Sequence, residues 1–312
     1  MLGSAVTKCL QCQGGPIYRY FEPFDWSNPE LLKTQFKLAV ADFTCSFSPG
    51  ERWAIYWTAG LGAMGSTESD LDVETANLKM FLGLLREHIT ISHALGAIGF
   101  ASSAGALYSE SKDFEVTELS AITTLTEYAK AKLAQEKLLK EFVSSEAGVD
   151  LLVARFSTLY GPGQSFGKKQ GLLSHIARCA LKQHPVELFV PLDTARDYLF
   201  VDDAASLFVG SLQAMLIQGR KSEIRIIAAE RSVTISEIIS TFNRLIKKPI
   251  RFVSCSNSLS AIYSRRVSYR SNYPLDEDIK ICRHTLIEGA AILLNAERAA
   301  YIAARRNRIN NE

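Results

Sequence analysis

The sequence predicts an α/β fold around a largely parallel sheet, and three observations predict it. Apolar runs of strand length (Trp53–Trp57, Ala97–Ala101, Val149–Phe156 and Glu223–Ala229) alternate with longer stretches of helical period. Helix-start signals fall where that alternation needs them. Asn28-Pro29-Glu30 offers an Asn cap with proline at the first helical position, and Thr234-Ile235-Ser236-Glu237 has capping-box form. Gly/Pro punctuation at Gly14-Gly15, Gly148 and Gly161-Pro162-Gly163 separates the periodic segments.

Along the chain, Ser4–Gln13 reads as a helix stopped by Gly14-Gly15, and Pro16–Tyr20 as a strand. The helix begun at Asn28 precedes the strand Trp53–Trp57, which runs into Thr58-Ala59-Gly60. A helix over about Val73–Glu87 follows, then the strand Ala97–Ala101, which leads through Ser102-Ser103 to Ala104-Gly105-Ala106-Leu107-Tyr108. Leu125–Phe142 is an amphipathic helix closed by Gly148, and Val149–Phe156 is an apolar strand interrupted by Asp150 and Arg155. After the Gly/Pro turn come a helix over Leu172–Lys182, short strands, and the strand Glu223–Ala229. Beyond Phe252 the chain turns polar and irregular, which predicts loops over a site.

With 312 residues, 47% hydrophobic and 22% charged, the chain can bury a substantial core. A net charge of +2 gives no electrostatic pull toward nucleic acid, and the basic stretch Arg298–Arg308 reads as a solvated helix face. No apolar run reaches the roughly 18 residues that span a bilayer, so no membrane partner is expected. No signal-peptide segment precedes Cys9. Six scattered cysteines do not make a disulfide framework, so a cytoplasmic, reducing location is expected. Cys9 and Cys12 lack a second pair, and the five histidines (His88, His93, His175, His184, His284) show no ligand spacing. No metal is expected.

The chemistry is carried by Tyr128 and Lys132 in Thr126-Glu127-Tyr128-Ala129-Lys130-Ala131-Lys132. A spacing of four puts both on one helix face, one turn apart. An ammonium beside a phenol favours the phenolate, lowering a pKa that begins near ~10, and so makes a proton acceptor usable near neutral pH. A strand, a serine turn and then this helix suit the movement of a proton and a hydride at a carbinol carbon. Alone, the pair also fits an ordinary amphipathic helix.

Four segments in order carry a resemblance: Ser102-Ser103-Ala104 with Tyr108; Tyr128 with Lys132; Arg155 through Leu159-Tyr160-Gly161-Pro162-Gly163; and Arg196-Asp197-Tyr198-Leu199-Phe200-Val201-Asp202-Asp203. Together, over about Leu2–Gly289, the chain resembles the extended short-chain dehydrogenase/reductase superfamily, specifically its NAD(P)-dependent nucleotide-sugar epimerase/dehydratase branch. The resemblance implies a Rossmann-like doubly wound parallel sheet with a smaller C-terminal substrate-binding region. The dinucleotide-binding domain would cover 1–165 and about 194–230, and the substrate-binding region 166–193 and 231–312.

It further implies that Tyr128 is the general acid/base, that Lys132 holds the nicotinamide ribose and tunes the tyrosine, and that Ser103 hydrogen-bonds the reacting oxygen. NAD or NADP would be the cofactor, with Gly3, Arg19, Ala59, Tyr128 and Lys132 around it. Arg19 would favour a 2′-phosphate, or is a plain surface arginine. Arg196 would contact the diphosphate of a nucleotide-sugar substrate, for which a planar guanidinium fork is suited; a salt bridge with Asp197 or Asp202 is its alternative. Lys168, with Lys169 and Gln170, falls where the family often contacts the nucleotide, and Tyr263, Arg265 and Arg266 form a second candidate cluster. Asn77 matches an asparagine of structural type. A homodimer would form through the Val73–Glu87 and Tyr128 helices.

Two departures from the family pattern stand out. Met1-Leu2-Gly3-Ser4 looks like the end of the family's Gly-x-x-Gly-x-x-Gly turn, with Gly3 as the third glycine. The expectation is an N-terminally shortened chain whose first strand is missing, with exposed strand edges and few pyrophosphate-binding amides. One segment, Pro16–Trp26, also stands where two strands and a helix are usual. Ala104 and Gly105, with no carboxylate until Glu110, disfavour dehydration. An epimerase or keto-reductase acting on a nucleotide-sugar remains, with two alternatives: a non-catalytic binding protein of the same fold, or a reductase of a smaller carbonyl.

Overall fold

The computed structural model describes residues 1–46, 48, 51–60, 62, 65–92, 95–164, 171–219, 221–255, 266–273 and 283–309. Four strands form its central parallel sheet, in the order β1 (Trp53–Trp57), β2 (Gly96–Ser103), β3 (Val149–Phe156) and β7 (Ser222–Ile227). Parallel strands need long crossovers, and the helices that make them cover both faces of the sheet.

Alternation along the strands sorts the two faces. Ile98, Phe100, Leu151 and Val153 pack with α2 (Pro29–Cys45), α3 (Glu68–Ser92) and α5 (Glu127–Ser145). Ala97, Leu152, Ala154 and Phe156 pack on the opposite side with α1 (Leu2–Gln13) and α7 (Val201–Ile217). On that second face β2 contributes Ala97, Gly99 and Ala101, and the gap they leave is filled by Phe208 of α7. A Cβ added at Gly99 would lie 2.9 Å from the Phe208 ring and 3.3 Å from Tyr56. The missing side chain is thus what lets α7 approach.

The helix boundaries have local causes. Gly14 ends α1 in the left-handed region (φ 76°). Asn28 Oδ1 accepts from the Leu31 amide at 3.2 Å, and Thr126 Oγ1 accepts from Ala129 at 3.1 Å, so the Tyr128 helix begins at Glu127. Thr234 and Glu237 complete the capping box at α8 (Ile235–Ile246). Shorter strands pair beyond β3. β4 (Thr158–Tyr160), β6 (Ala195–Phe200) and β8 (Ser232–Thr234) make a three-stranded sheet, and β5 (Val186–Leu188) pairs with β9 (Phe252–Ser254). These, with α6 (Leu172–Lys182), α8 and α9 (Leu286–Ile309), enclose a separate apolar cluster that includes Ile176, Phe242 and Leu293.

Two expectations are corrected. Pro16–Tyr20 is not a strand; its aromatic residues are held by side chains instead of a backbone ladder. Tyr18 meets Phe43 at 5.5 Å, Tyr20 stacks on Phe24 at 5.2 Å, and Phe24 meets Phe36 at 5.1 Å. Nor is the chain after Phe252 only loops, because Leu286–Ile309 is a helix burying Ala290, Leu293 and Leu294. Its apolar positions at helical spacing sit among polar residues, so the average composition conceals them. The helix expected over Val73–Glu87 runs longer, from Glu68 to Ser92.

The close approach of β2 and α7 makes a testable demand. Gly99→Val should overpack this contact and cost about 1–3 kcal/mol of unfolding free energy, measured by urea denaturation.

Candidate active site

The carboxyl-terminal ends of β1 and β2, where open α/β sheets bind ligands, gather the leading candidates. Ser103 is the last residue of β2 and the N-cap of the short α4 (Ala104–Leu107), its Oγ accepting from the Ala106 amide at 3.2 Å. With a lone pair engaged, its O–H remains able to donate. Ser102 faces the other way and is buried, donating to Glu136 Oε1 at 2.6 Å. The strand's alternation thus separates the two serines into one that is half-buried at the rim and one that is structural.

Tyr128, half-buried in the first turn of α5, packs against an apolar cluster that includes Ala104, Ala106 and Leu107 of α4. Its ring edge is 3.3 Å from where a Gly62 side chain would begin. Lys132, one turn later, is buried, with Nζ 5.8 Å from the Tyr128 ring centre and 5.2 Å from that of Phe100. That Nζ donates to Glu74 Oε1 at 3.2 Å and to Gln135 Oε1 at 3.0 Å. Burial alone would raise the proton affinity of Glu74. The Lys132 charge and bonds from Gly62, Gln135 and Lys132 outweigh it, holding the carboxyl below its usual value. Neither Glu74 nor Gln135 was singled out from the sequence. Gln135 lies three residues from Lys132, a spacing that could have found it; Glu74 comes from another helix and leaves no such signal.

Gly3, in the first turn of α1, has no room for a side chain, because Thr58 Oγ1 would lie 2.7 Å from its Cβ. Thr58 and the neighbouring Ala59 are the exit from β1, and Met1 Cα comes within 3.8 Å of a Cβ placed on Gly163. The start of α1, the β1 exit and the Gly161–Gly163 turn therefore converge. Arg19 is exposed on the segment between α1 and α2, and among the described residues no hydrogen bond or ion pair ties it to this rim. Lys168, Lys169, Gln170, Tyr263 and Arg265 lie outside the described residues.

Arg196 sits half-buried on β6, where Nη1 donates to Ala195 O at 3.0 Å. Asp197 accepts from the amides of Ala229 and Arg231, and Asp202 pairs with Lys8. Arg266 lies beside this strand, bridging to Ala195, so one arginine of the second cluster borders Arg196. Among the described residues no group of His, Cys, Asp and Glu could hold a metal ion. The described cysteines, Cys9 and Cys12 among them, are free thiols.

A buried polar network underlies the serine turn. Arg155, opposite Ser102 in the β2–β3 register, donates to Glu136 at 3.0 and 2.7 Å and also to the Tyr108 hydroxyl. Its presence in an apolar strand was visible in the sequence; its partners required the fold.

Residues 47–224, more than half of the chain, match the model of the NAD dependent epimerase/dehydratase family. The dTDP-4-dehydro-6-deoxyglucose reductase of Escherichia coli is 28% identical over 152 residues, which cover 48% of this chain and 46% of that protein. The UDP-glucuronate 4-epimerase of Thermodesulfobacterium geofontis is 26% identical over 228 residues, 73% of this chain and 64% of that protein. The chain thus spans about half to under two-thirds of these relatives' length. Among solved structures, RMD from Pseudomonas aeruginosa complexed with NADPH superposes over 96% of each chain with a TM-score of 0.75 at 18% identity, a likeness of fold. No described helix is long and apolar enough to cross a membrane.

Two predictions follow from the buried charges. Glu136 and Arg155 are 0% and 2% exposed, so Arg155→Met should strand a carboxylate and cost about 3–5 kcal/mol in chemical denaturation, largely restored by adding Glu136→Gln. Burial pushes the Asp197 carboxyl up to about 6 from 3.8, against the bonds from the two amides. The folded state therefore holds this proton more tightly than the unfolded chain. Its stabilisation is complete below the unfolded value of 3.8 and is lost as pH rises through about 6. Between about pH 3 and 7 the stability of the wild type relative to Asp197→Asn should fall by about 3 kcal/mol in urea titrations.

Proposed function

Since the chain belongs to the NAD dependent epimerase/dehydratase family, we propose that it is an NAD(P)-dependent epimerase or keto-reductase acting on a nucleotide-sugar. One observation carries this reading: Tyr128 and Lys132 lie one turn apart on α5, with the lysine Nζ 5.8 Å from the tyrosine ring centre, and Tyr128 packs on the apolar cluster that includes the α4 residues following Ser103, at the carboxyl end of a parallel sheet. The residues suit a dinucleotide chemically. A buried ammonium is present at Lys132, and the start of α1 closes onto the β1 exit without room for a Gly3 side chain.

A bound nicotinamide supplies the acceptor and donor of hydride. The protein's part is the proton. In this reading the Tyr128 oxygen takes it from the carbinol hydroxyl as that carbon is oxidised and returns it on reduction. The Ser103 O–H donates to the reacting oxygen, and the Lys132 charge stabilises the phenolate. Ala104 and Gly105 follow the serine without a carboxylate, so elimination of water is not part of the cycle. Arg196 pairs with the substrate diphosphate through its guanidinium fork. Residues 1–165 with about 194–230 form the dinucleotide-binding part and the remainder the substrate part, with a homodimer formed through α3 and α5.

A second reading, a binding protein of this fold without turnover, is favoured by one feature: Lys132 is already engaged by Glu74. Titration with NAD and NADP, followed by nicotinamide fluorescence, separates the two. Tyr128→Phe should leave dinucleotide binding intact and lower turnover of nucleotide-sugars by roughly 10²–10⁴-fold; turnover that survives this change would remove Tyr128 from its role.

A further inference from the structure

Resting on the reading above, we infer that Glu74 is a positioning residue that competes with the ribose hydroxyls of the dinucleotide for the Lys132 ammonium. Cofactor binding then has to displace or loosen a buried ion pair.

The geometry gives the reason. Glu74 is on α3, and its carboxylate reaches the rim between the β1 exit and α5. Oε2 accepts from the Gly62 amide at 2.9 Å, and Oε1 accepts from Lys132 Nζ at 3.2 Å and Gln135 Nε2 at 3.3 Å. Gln135 Nε2 also donates to Thr75 Oγ1 at 3.2 Å. The carboxylate oxygens lie 2.7 and 3.2 Å from where a Gly60 side chain would begin, so they occupy the space beside that loop.

Around this carboxylate, α5 contributes Lys132 and Gln135, the Phe100 ring of β2 lies 5.2 Å from the Lys132 Nζ, and the loop contributes Gly60 and Gly62, the latter also beside the Tyr128 ring. The Lys132 and Glu74 side chains are 6% and 14% exposed, so their attraction is little screened by water. An ammonium has three donors, and two of them are spent on Glu74 and Gln135. One N–H remains, so a ligand that engages Lys132 through two hydroxyls, as a ribose diol does, must draw it from one of these acceptors. The adjacent negative charge also cancels part of the field that would favour a phenolate or an anionic ligand. Glu74 does not depend on Lys132 alone, since the Gly62 amide and Gln135 would still hold it if the lysine were drawn away. This distinguishes the pair from Glu136 and Arg155, which are more deeply buried and away from the rim.

A double-mutant cycle on the full chain tests the competition, with dissociation constants for NAD and NADP read by nicotinamide fluorescence and thermal midpoints read without cofactor. Glu74→Gln keeps an acceptor for the Gly62 amide and removes the charge. It should tighten dinucleotide binding by roughly tenfold, the scale of a coupling between sites. With Lys132→Met already present, adding Glu74→Gln should change binding little, because no ammonium remains to be released. Unchanged or weaker binding by Glu74→Gln at an unaltered thermal midpoint would overturn the competition and make Glu74 a support for Lys132. An equal gain with and without Lys132 would overturn it too, as plain repulsion between a carboxylate and an anionic ligand. If no variant binds either dinucleotide, the functional reading fails along with the inference; tight binding indifferent to Glu74 defeats the inference alone.

Discussion

The register between β2 and β3 is the constraint on which the rest depends. It sets Ser103 opposite Phe156 and Ser102 opposite Arg155. A slip of β2 by one residue would turn its side chains to the opposite faces of the sheet and exchange the rim serine for the buried one. That register is held because each face of β2 has only one acceptable neighbour. The small residues Ala97 and Gly99 accommodate Phe208, whereas Ile98 and Phe100 need the apolar faces of α2, α3 and α5. Burying each large side chain is worth about 1.5–3 kcal/mol, so the wrong facing would forfeit several such contributions at once.

Two buried ion pairs then take different roles from similar chemistry. Glu136 and Arg155 satisfy one another with Ser102 and Tyr108, well inside the protein. A pair so deeply desolvated contributes little net stability against an apolar alternative, yet removing one member is costly. It fixes the end of β2 from beneath, where α4 must start. Glu74 and Lys132 are placed at the rim, with the half-buried Tyr128 beside them. There the same desolvation makes the lysine responsive to whatever else approaches. The fold thus supports the serine turn with a closed network and leaves the reactive helix face with an exchangeable one.

The positions of the central strands along the chain and most of the helices were legible from the sequence because their causes are local. Alternation marked β1, β2, β3 and β7, and side-chain caps marked α2, α5 and α8. The helix spacing of Tyr128 and Lys132 and the serine turn were equally readable, since each lies within a few residues of chain. Pro16–Tyr20 misled because strand propensity is realised only when a partner offers a ladder, and its aromatics found Phe43 of α2 and the nearby Phe24 instead. The solvated end of the helix Leu286–Ile309 was readable at Arg298–Arg308, whereas its buried start was concealed by polar neighbours and revealed only by packing on α6 and α8.

By itself, then, the sequence determined the fold class, the alternation of strand-length and helical segments and the candidate proton-transfer helix, all of which follow from periodicities and caps spanning one or two turns. Only the tertiary structure decided which serine faces the rim, which carboxylates meet Lys132 and Arg155, and how the residues after Phe252 are used. The Glu74–Lys132 contact joins residues 58 positions apart. Such a pairing comes from how α3 and α5 pack on one sheet face, and no short-range pattern encodes it.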